Sequence, residues 1–252
     1  HRLEGLAVLP GTGYLELVQA AYAEVHDAGP VEFSDVHFLA PLMFPENAPR
    51  ELHIALQNED FAVISPLGED RWLEHARGSI RRTSPAGREP VASARMMDPT
   101  EAPTADAVTF GHRWQNLKTV GFTDDAGVAE LALPDDCHGD MADYTLHPAL
   151  FDIAIGFITL RHGLADSLPF GYTSIRQYRP LPPQLRSEVT VVDRSSDHLE
   201  FDARLFDSSG ELLVEVSGYQ LRVRPTRRSQ TEPDQARLWL RPDDPDTAWR
   251  LV

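Results

Sequence analysis

Two side chains in this sequence stand where an acid and a base could act on one substrate. Asp152 lies within Leu146-His-Pro-Ala-Leu-Phe-Asp-Ile-Ala-Ile155, and the residues three and four positions from it are Pro148, Ala149, Ile155 and the small Gly156. On a helix these share its face. A carboxylate there is poorly hydrated, and desolvation favours the protonated form that can donate a proton. The same pattern also suits an aspartate that satisfies backbone amides near a helix start or pairs with an arginine, and pattern alone leaves both readings open. His1 precedes Gly5 and Pro10, in a short loop leading to a helix whose first amides, around Gly11 and Gly13, would suit a developing oxyanion. A lone histidine is as readily structural. Asp135, His138, Asp140 and His147 are metal-type ligands, but they match no zinc or calcium spacing and sit in a glycine-bearing stretch. That stretch reads as a solvated loop with no metal.

These residues need elements to hold them. From Pro10 to His26 the apolar positions Tyr14, Leu17, Val18, Ala21, Tyr22 and Val25 recur at helical spacing, with Thr12 placed to cap the start. Glu51 to Leu56, Phe61 to Ile64 and Arg71 to Arg81 then read as antiparallel strands. The Pro- and Gly-bearing stretch from Thr83 to Ala107 reads as a connection. The order repeats beyond it: a strand at Val128 to Leu133, an apolar helix at Pro148 to Leu160, and strands at Glu188 to Val192, Leu199 to Phe206 and Leu212 to Val223. One buried helix followed by strands, twice, predicts an α+β fold of two sheets that each wrap a helix. The tail from Pro225 has linker composition, and Arg237 to Pro242 reads as the start of a neighbouring domain.

Composition narrows the partners. With 23 basic and 39 acidic residues the formal charge is −16, which repels a phosphate backbone, so no nucleic acid is expected. No apolar run is long enough to span a bilayer as a helix, so no membrane is expected either. A single cysteine, Cys137, forms no internal disulfide, and a cytoplasmic setting is the default.

Five islands of sequence carry a family resemblance. His1-Arg-Leu-Glu-Gly5-Leu-Ala-Val-Leu-Pro10 resembles the His-x-x-x-Gly-x-x-x-x-Pro signature of polyketide synthase dehydratase domains. Trp72-Leu-Glu-His75-Ala-Arg-Gly78 is similar to the family's Trp-x-x-His-Ala-x-Gly strand. Phe110-Gly111-His-Arg-Trp-Gln115 resembles its Tyr-Gly-Pro-x-Phe-x loop. Leu146 to Asp152 matches its second catalytic motif, and Leu168-Pro169-Phe170-Gly-Tyr172 resembles a Leu-Pro-Phe-x-Trp segment. The islands occur in family order from His1 to about Pro225. The resemblance implies a double hotdog, with one half at 1–98 carrying the histidine, a second at 99–225 carrying the aspartate, and a linker and possible neighbour at 226–252.

It also implies dehydration of a β-hydroxyacyl group on the phosphopantetheine arm of an acyl carrier protein, with no cofactor of the domain's own. His1 would be the base and Asp152 the acid; Pro10, Gly11 and Gly13 would position the substrate oxygen; Tyr14, Phe110, Gly111, His112, Gly156, Pro169, Phe170 and Tyr172 would line the tunnel. Covalent neighbours in a megasynthase and a homodimer follow from the same resemblance. The chain departs from the family pattern in three places. Gly156 stands where the family has Gln or His, four residues after the aspartate, and Tyr172, Gln177 and His162 are the candidates to orient the carboxyl instead. His112 and Tyr172 replace the Pro and the Trp of their motifs. The chain also begins at the histidine, as a piece of a longer polypeptide would, without the strand that precedes it in the family. Gly156 keeps open a double-bond isomerase, a pyran-forming cyclase or a thioester hydrolase built on the same pair, and a silent dimerisation scaffold is the reading of another class. The arginines 222, 224, 227 and 228 would either help dock an acidic carrier protein or be a solvated strand end.

Overall fold

A computed structural model of the chain describes residues 2–3, 6–44, 48–68, 71–84, 100–101, 111–162, 167–195, 198–223, 238–240 and 250–251. Short strands β1 (Arg2–Leu3) and β2 (Leu6–Val8) lead into α1 (Gly11–Val25). Then come β3 (Val31–Phe38), β4 (Met43–Phe44), β5 (His53–Gln57), β6 (Asp60–Gly68) and β7 (Arg71–Arg82). After β8 (Thr100–Glu101) the second part holds β9 (Leu117–Phe122), β10 (Ala126–Ala132), α2 (Pro148–Gly156), α3 (Thr159–His162), β11 (Ser167–Gln177), β12 (Gln184–Arg194), β13 (His198–Phe206) and β14 (Leu212–Val223). Two short strands from the tail, β15 (Leu238–Leu240) and β16 (Arg250–Leu251), pair with β7 and β5. Those parts of the stretch read as linker and neighbour therefore lie along this sheet.

The strands form one antiparallel sheet in the order β16-β5-β6-β7-β3-β11-β14-β13-β12-β10-β9-β8, with β15 beside β7, while β1, β2 and β4 form a small sheet of their own. The two halves meet where β3 pairs with β11, from Val31 opposite Gln177 to His37 opposite Gly171. At this seam the buried Glu32 accepts from Arg81 Nε and Nη2 at 3.1 and 2.7 Å with one oxygen, and from Arg176 Nε at 2.9 Å with the other. Burial pushes the Glu32 carboxyl up, and the two guanidiniums more than offset that, holding it below the usual carboxylate range. One carboxylate thus spans β7, β3 and β11.

Each half wraps its helix, the double hotdog arrangement. The stripe of α1 that is buried is Tyr14, Leu15, Val18, Ala21 and Tyr22, whereas Leu17 is 40% exposed. The first half contains a hydrogen-bonded knot of its own: His75 of β7 is buried, with Nδ1 at 3.0 Å from the Ala40 carbonyl and Nε2 at 2.8 Å from the Ser65 hydroxyl. These partners place the proton on Nδ1, and burial pushes the imidazole below its ordinary value. In the second half Ala149, Leu150, Phe151, Ala154 and Ile155 of α2 are all buried, so the helix that is apolar nearly all round has both the sheet and α1 to cover it. The predicted helix over Pro148 to Leu160 is interrupted at Phe157. There the Thr159 hydroxyl donates to the Gly156 carbonyl at 2.8 Å, and the amides of Leu160 and Arg161 reach only three residues back.

Thr12 does not cap α1. Pro10 is the N-cap, with φ −67° and ψ 155°, and the Thr12 hydroxyl donates instead to the Pro148 carbonyl at 3.2 Å, across to α2. Four residues on, buried Glu16 accepts from the amides of Thr145 and Leu146 at 2.9 and 2.6 Å. The chain just ahead of α2 is therefore bolted to the first two turns of α1. Replacing Glu16 with Ala leaves the buried amide of Leu146 and the half-buried amide of Thr145 without their acceptor, at about 1–3 kcal/mol each at full burial and before relaxation. We expect Glu16→Ala to lower the unfolding free energy by about 2–4 kcal/mol in urea titration, and an unchanged midpoint would show that the two amides find water instead.

Candidate active site

Asp152 sits in the second turn of α2, and the start of that helix explains how it is held. His147 is the N-cap and Pro148 the first helical residue, a position that lacks an amide to satisfy. The buried His147 accepts from the Leu150 amide through Nδ1 at 3.3 Å, so its proton is on Nε2, which faces Asp140 at 3.4 Å. Asp140 in turn accepts from Arg113 Nε at 2.5 Å and Nη2 at 3.1 Å. Arg113 belongs to a single 3₁₀ turn, His112–Trp114. Just after it the wholly buried Asn116 donates from Nδ2 to the carbonyls of Arg113, at 2.9 Å, and Ala149, at 3.0 Å. The turn is thus fastened to the N-terminal end of α2 by an ion pair and by an amide.

From that platform the Trp114 indole N–H donates to Asp152 Oδ2 at 2.9 Å. This contact was not expected from the sequence. Trp114 stands where the resembled loop has Phe, and exchange of an apolar ring for one bearing a donor was the available signal. Of the three residues weighed as orienters of Asp152, Gln177 gives its amide to the Thr145 carbonyl and His162 lies against Arg194, so neither serves. Tyr172 does lie in the electrostatic field of Asp152. It stacks on Tyr219, with centroids 4.4 Å apart and an interplanar angle of 9°; burial above all pushes both phenols up, helped at Tyr172 by Tyr219 and then Asp152, and at Tyr219 by Asp152. Gly156 lies one helical turn beyond Asp152, and a Cβ built there meets no heavy atom of the described residues within 4 Å.

The remaining candidates divide. His1 and Phe110 lie outside the described residues. Gly11 is required by close approach, since a Cβ there would stand 2.8 Å from Phe38 Cζ. Gly13 gives its amide to the Pro10 carbonyl at 2.9 Å, so it is not the free oxyanion donor expected of it. Tyr14 is a framework residue: its hydroxyl accepts from the Leu42 amide at 2.9 Å and its ring stacks on His75. Gly111 is exposed at the head of the 3₁₀ turn, and His112 spends its ring on Asp136 at the surface, 3.0 Å away, rather than on a tunnel wall. His112, Asp136 and Cys137 bring ligand-type atoms within 4.8 Å of one another, and the imidazole and carboxylate of that group satisfy each other. Pro169 and Phe170 are half-buried, at a register shift in β11. The Arg222 guanidinium lies 3.8 Å over the Phe170 ring; the other three arginines of its cluster lie outside the described residues.

Two family models account for most of the chain. The polyketide synthase dehydratase N-terminal domain matches residues 82–231, and the polyketide synthase dehydratase domain matches residues 1–66. The chain belongs to the polyketide synthase dehydratase family. Among curated relatives this dehydratase domain is 24% identical to polyketide synthase PksM of Bacillus subtilis (strain 168) over 258 residues, with 88% of the chain covered. It is 29% identical to polyketide synthase GfsE of Streptomyces halstedii over 219 residues, with 77% covered. It spans 6% of the length of each. Among solved structures, a GphF dehydratase variant superposes with a TM-score of 0.76 at 25% identity, covering 89% of this chain and 88% of that one. The dehydratase domain from the CurJ module of curacin polyketide synthase gives 0.75 at 21% identity, covering 88% and 85%. No helix among the described residues is long and apolar enough to cross a membrane.

The neutral state of His147 has a consequence for stability. Burial above all, against the opposing pull of Asp140, holds its imidazole below the ordinary histidine value of 6.5. Its folded-state value is depressed, so the unfolded chain binds more protons as pH falls past about 6.5. The contribution is therefore present above that pH and is lost as pH falls through the folded value, by at most about 1.4 kcal/mol per pH unit for one group. His147→Asn keeps a helix-capping acceptor and removes the titration. Denaturant midpoints measured from pH 8 to pH 5 are expected to fall less steeply in this variant, and parallel curves would refute the assignment.

Proposed function

We propose that this dehydratase domain removes water from a β-hydroxyacyl thioester carried on the phosphopantetheine arm of an acyl carrier protein, with His1 as base and Asp152 as acid. The reading rests on one observation above the others: Asp152 receives a donor-only indole N–H on Oδ2. That oxygen acts as an acceptor, and the indole fixes the orientation of the carboxyl that this reading makes the acid.

In the reaction the His1 imidazole takes the proton from the α-carbon, next to the thioester carbonyl. The electron pair moves into the new carbon–carbon double bond as the β-carbon–oxygen bond breaks. The Asp152 proton joins the departing hydroxyl, and water leaves. His1 ends protonated and Asp152 ionised, and exchange with solvent restores both. Charge that builds on the thioester oxygen would be met by the first amides of α1, those of Gly11 and Thr12, since Gly13 is bonded to Pro10. The tie from Thr12 to Pro148 holds that helix end beside α2. An acid and a base suffice for this elimination, so the reading includes no cofactor or metal of the domain's own. Covalent neighbours in a cytoplasmic megasynthase, a carrier protein as partner and a homodimer complete it.

The test offers a β-hydroxyacyl thioester mimic to the parent chain, to Asp152→Asn and to His1→Phe, each extended at its N-terminus so that residue 1 is in peptide linkage. Products are followed by liquid chromatography and mass spectrometry. Loss of one water by the parent, with each substitution slowing it by about 100-fold or more, is the expected result. A product of unchanged mass would reassign the domain to isomerisation or ring closure, and a free acid would reassign it to hydrolysis.

A further inference from the structure

A carboxylic acid that must give up its proton in one direction has a problem of identity, because its two oxygens exchange roles by a half-turn of the terminal torsion, which is broad and two-fold. Something has to distinguish them. The usual place for such a partner on a helix is one turn away on the same face. Here that position is Gly156, with no side chain and, among the described residues, no heavy atom within 4 Å of where one would begin. The partner comes instead from another element. Trp114 reaches Asp152 Oδ2 at 2.9 Å through a group that donates and cannot accept.

The surroundings of Trp114 make this more than an incidental contact. The carbonyl before it, that of Arg113, is held by Asn116, and the same amide group of Asn116 holds Ala149 in the first turn of α2. Arg113 is clamped by Asp140, which also faces the N-cap His147. The 3₁₀ turn and the helix bearing Asp152 are therefore one unit, and the indole is presented from a fixed base.

We propose that Trp114 is the positioning residue for Asp152: its indole N–H donates to Oδ2, fixes the orientation of the carboxyl, and performs the task that no side chain at 156 performs in this chain. The inference rests on the reading of Asp152 as the acid. It gives Trp114 and Gly156 a joint meaning, since a donor delivered from the loop makes a donor on the helix unnecessary.

The experiment compares kcat and KM for dehydration of a β-hydroxyacyl thioester mimic in the parent, Trp114→Phe, and the double variant Trp114→Phe with Gly156→Gln. It also includes the parent chain bearing benzothienylalanine at 114, an isostere of tryptophan with sulfur in place of the N–H. Thermal melts check folding. The isostere tests the donor even where Phe disturbs packing. Loss of a supporting hydrogen bond to a reacting group is expected to lower kcat by about 10–100-fold in both donor-free chains, with KM within about 3-fold of the parent's. The glutamine, one turn from Asp152 on the same helix, is expected to restore kcat to within about 5-fold by supplying an amide N–H. Parental kcat in the isosteric chain overturns the proposal. So does a folded double variant that stays as slow as Trp114→Phe, because the loss would then not be one of donation to Asp152. Asp152→Asn in the same assay separates the two readings: if it retains the parent's turnover, the acid itself is misassigned, whereas a dead Asp152→Asn beside a fast isosteric chain overturns the role of Trp114 alone.

Discussion

A buried carboxylate joins the two halves at the level of their helices. Glu16 places both oxygens against the amides of Thr145 and Leu146, and Thr12 reaches the Pro148 carbonyl one turn earlier. Each side of this junction supplies what the other needs on burial. A carboxyl taken out of water costs several kcal/mol unless it is hydrogen-bonded, and the two amides lie where the chain turns into α2, outside any strand ladder. Burial accordingly pushes the Glu16 carboxyl up, and the two amide bonds work against that shift. The result is a fixed relation between the first turns of α1 and α2, which places the helix end that follows Pro10 beside the helix that carries Asp152.

From that junction the rest of the site is laid down outward. Asn116, with no exposure, cross-links the 3₁₀ turn to α2, and the Arg113, Asp140 and His147 series repeats the link nearer the surface. The order of burial matters. Ion pairs at exposed positions contribute little, roughly 0–1 kcal/mol, and are screened by salt. A buried amide that satisfies two carbonyls is worth more, because its removal would orphan both. The turn that presents Trp114 thus depends chiefly on a neutral hydrogen-bond donor, with the charged series as reinforcement. At the other junction, the β3–β11 seam, the charged group is buried and two arginines serve it.

Much of the framework could be read from periodicity, and the exceptions have local causes. The helices at Pro10 and Pro148 and the strands at 71–82, 198–206 and 212–223 follow the apolar period closely. Strand β3 went unread because its alternation is broken by a register shift between Ser34 and His37, where Asp35 adopts φ 50°. Strand β11 was seen only as a motif, since Pro169 and Gly171 straddle its own register shift and neither residue suggests a strand. Within the site, Asp152 was legible because an acid inside an apolar helix is conspicuous. Trp114 was not, because tryptophan in a loop reads as packing, and the direction of an N–H is set by tertiary contacts such as Asn116 to Ala149. Thr12 and Gly13 looked like a cap and an anion donor for the same reason: local sequence shows what a group is able to bond, and the fold decides with what.

The way charge is arranged around Asp152 fits the work of an acid. An arginine beside the carboxyl would favour its ionised form and end its use as a proton donor. The arginine of the neighbouring turn is available for that, yet Arg113 gives its guanidinium to Asp140, and His112 gives its ring to Asp136. What reaches Asp152 from this turn is a neutral indole N–H, which holds one oxygen without adding positive charge. Tyr172 and Tyr219, kept as neutral phenols by burial, stand in the same field and bring no cation either. His147, one helical turn and more behind, is held toward its neutral form by burial, with Nδ1 accepting from the Leu150 amide. The charged groups of this turn are thus matched with one another, and what the turn sends to Asp152 is a dipole of fixed direction, an arrangement that suits the acid proposed for this position.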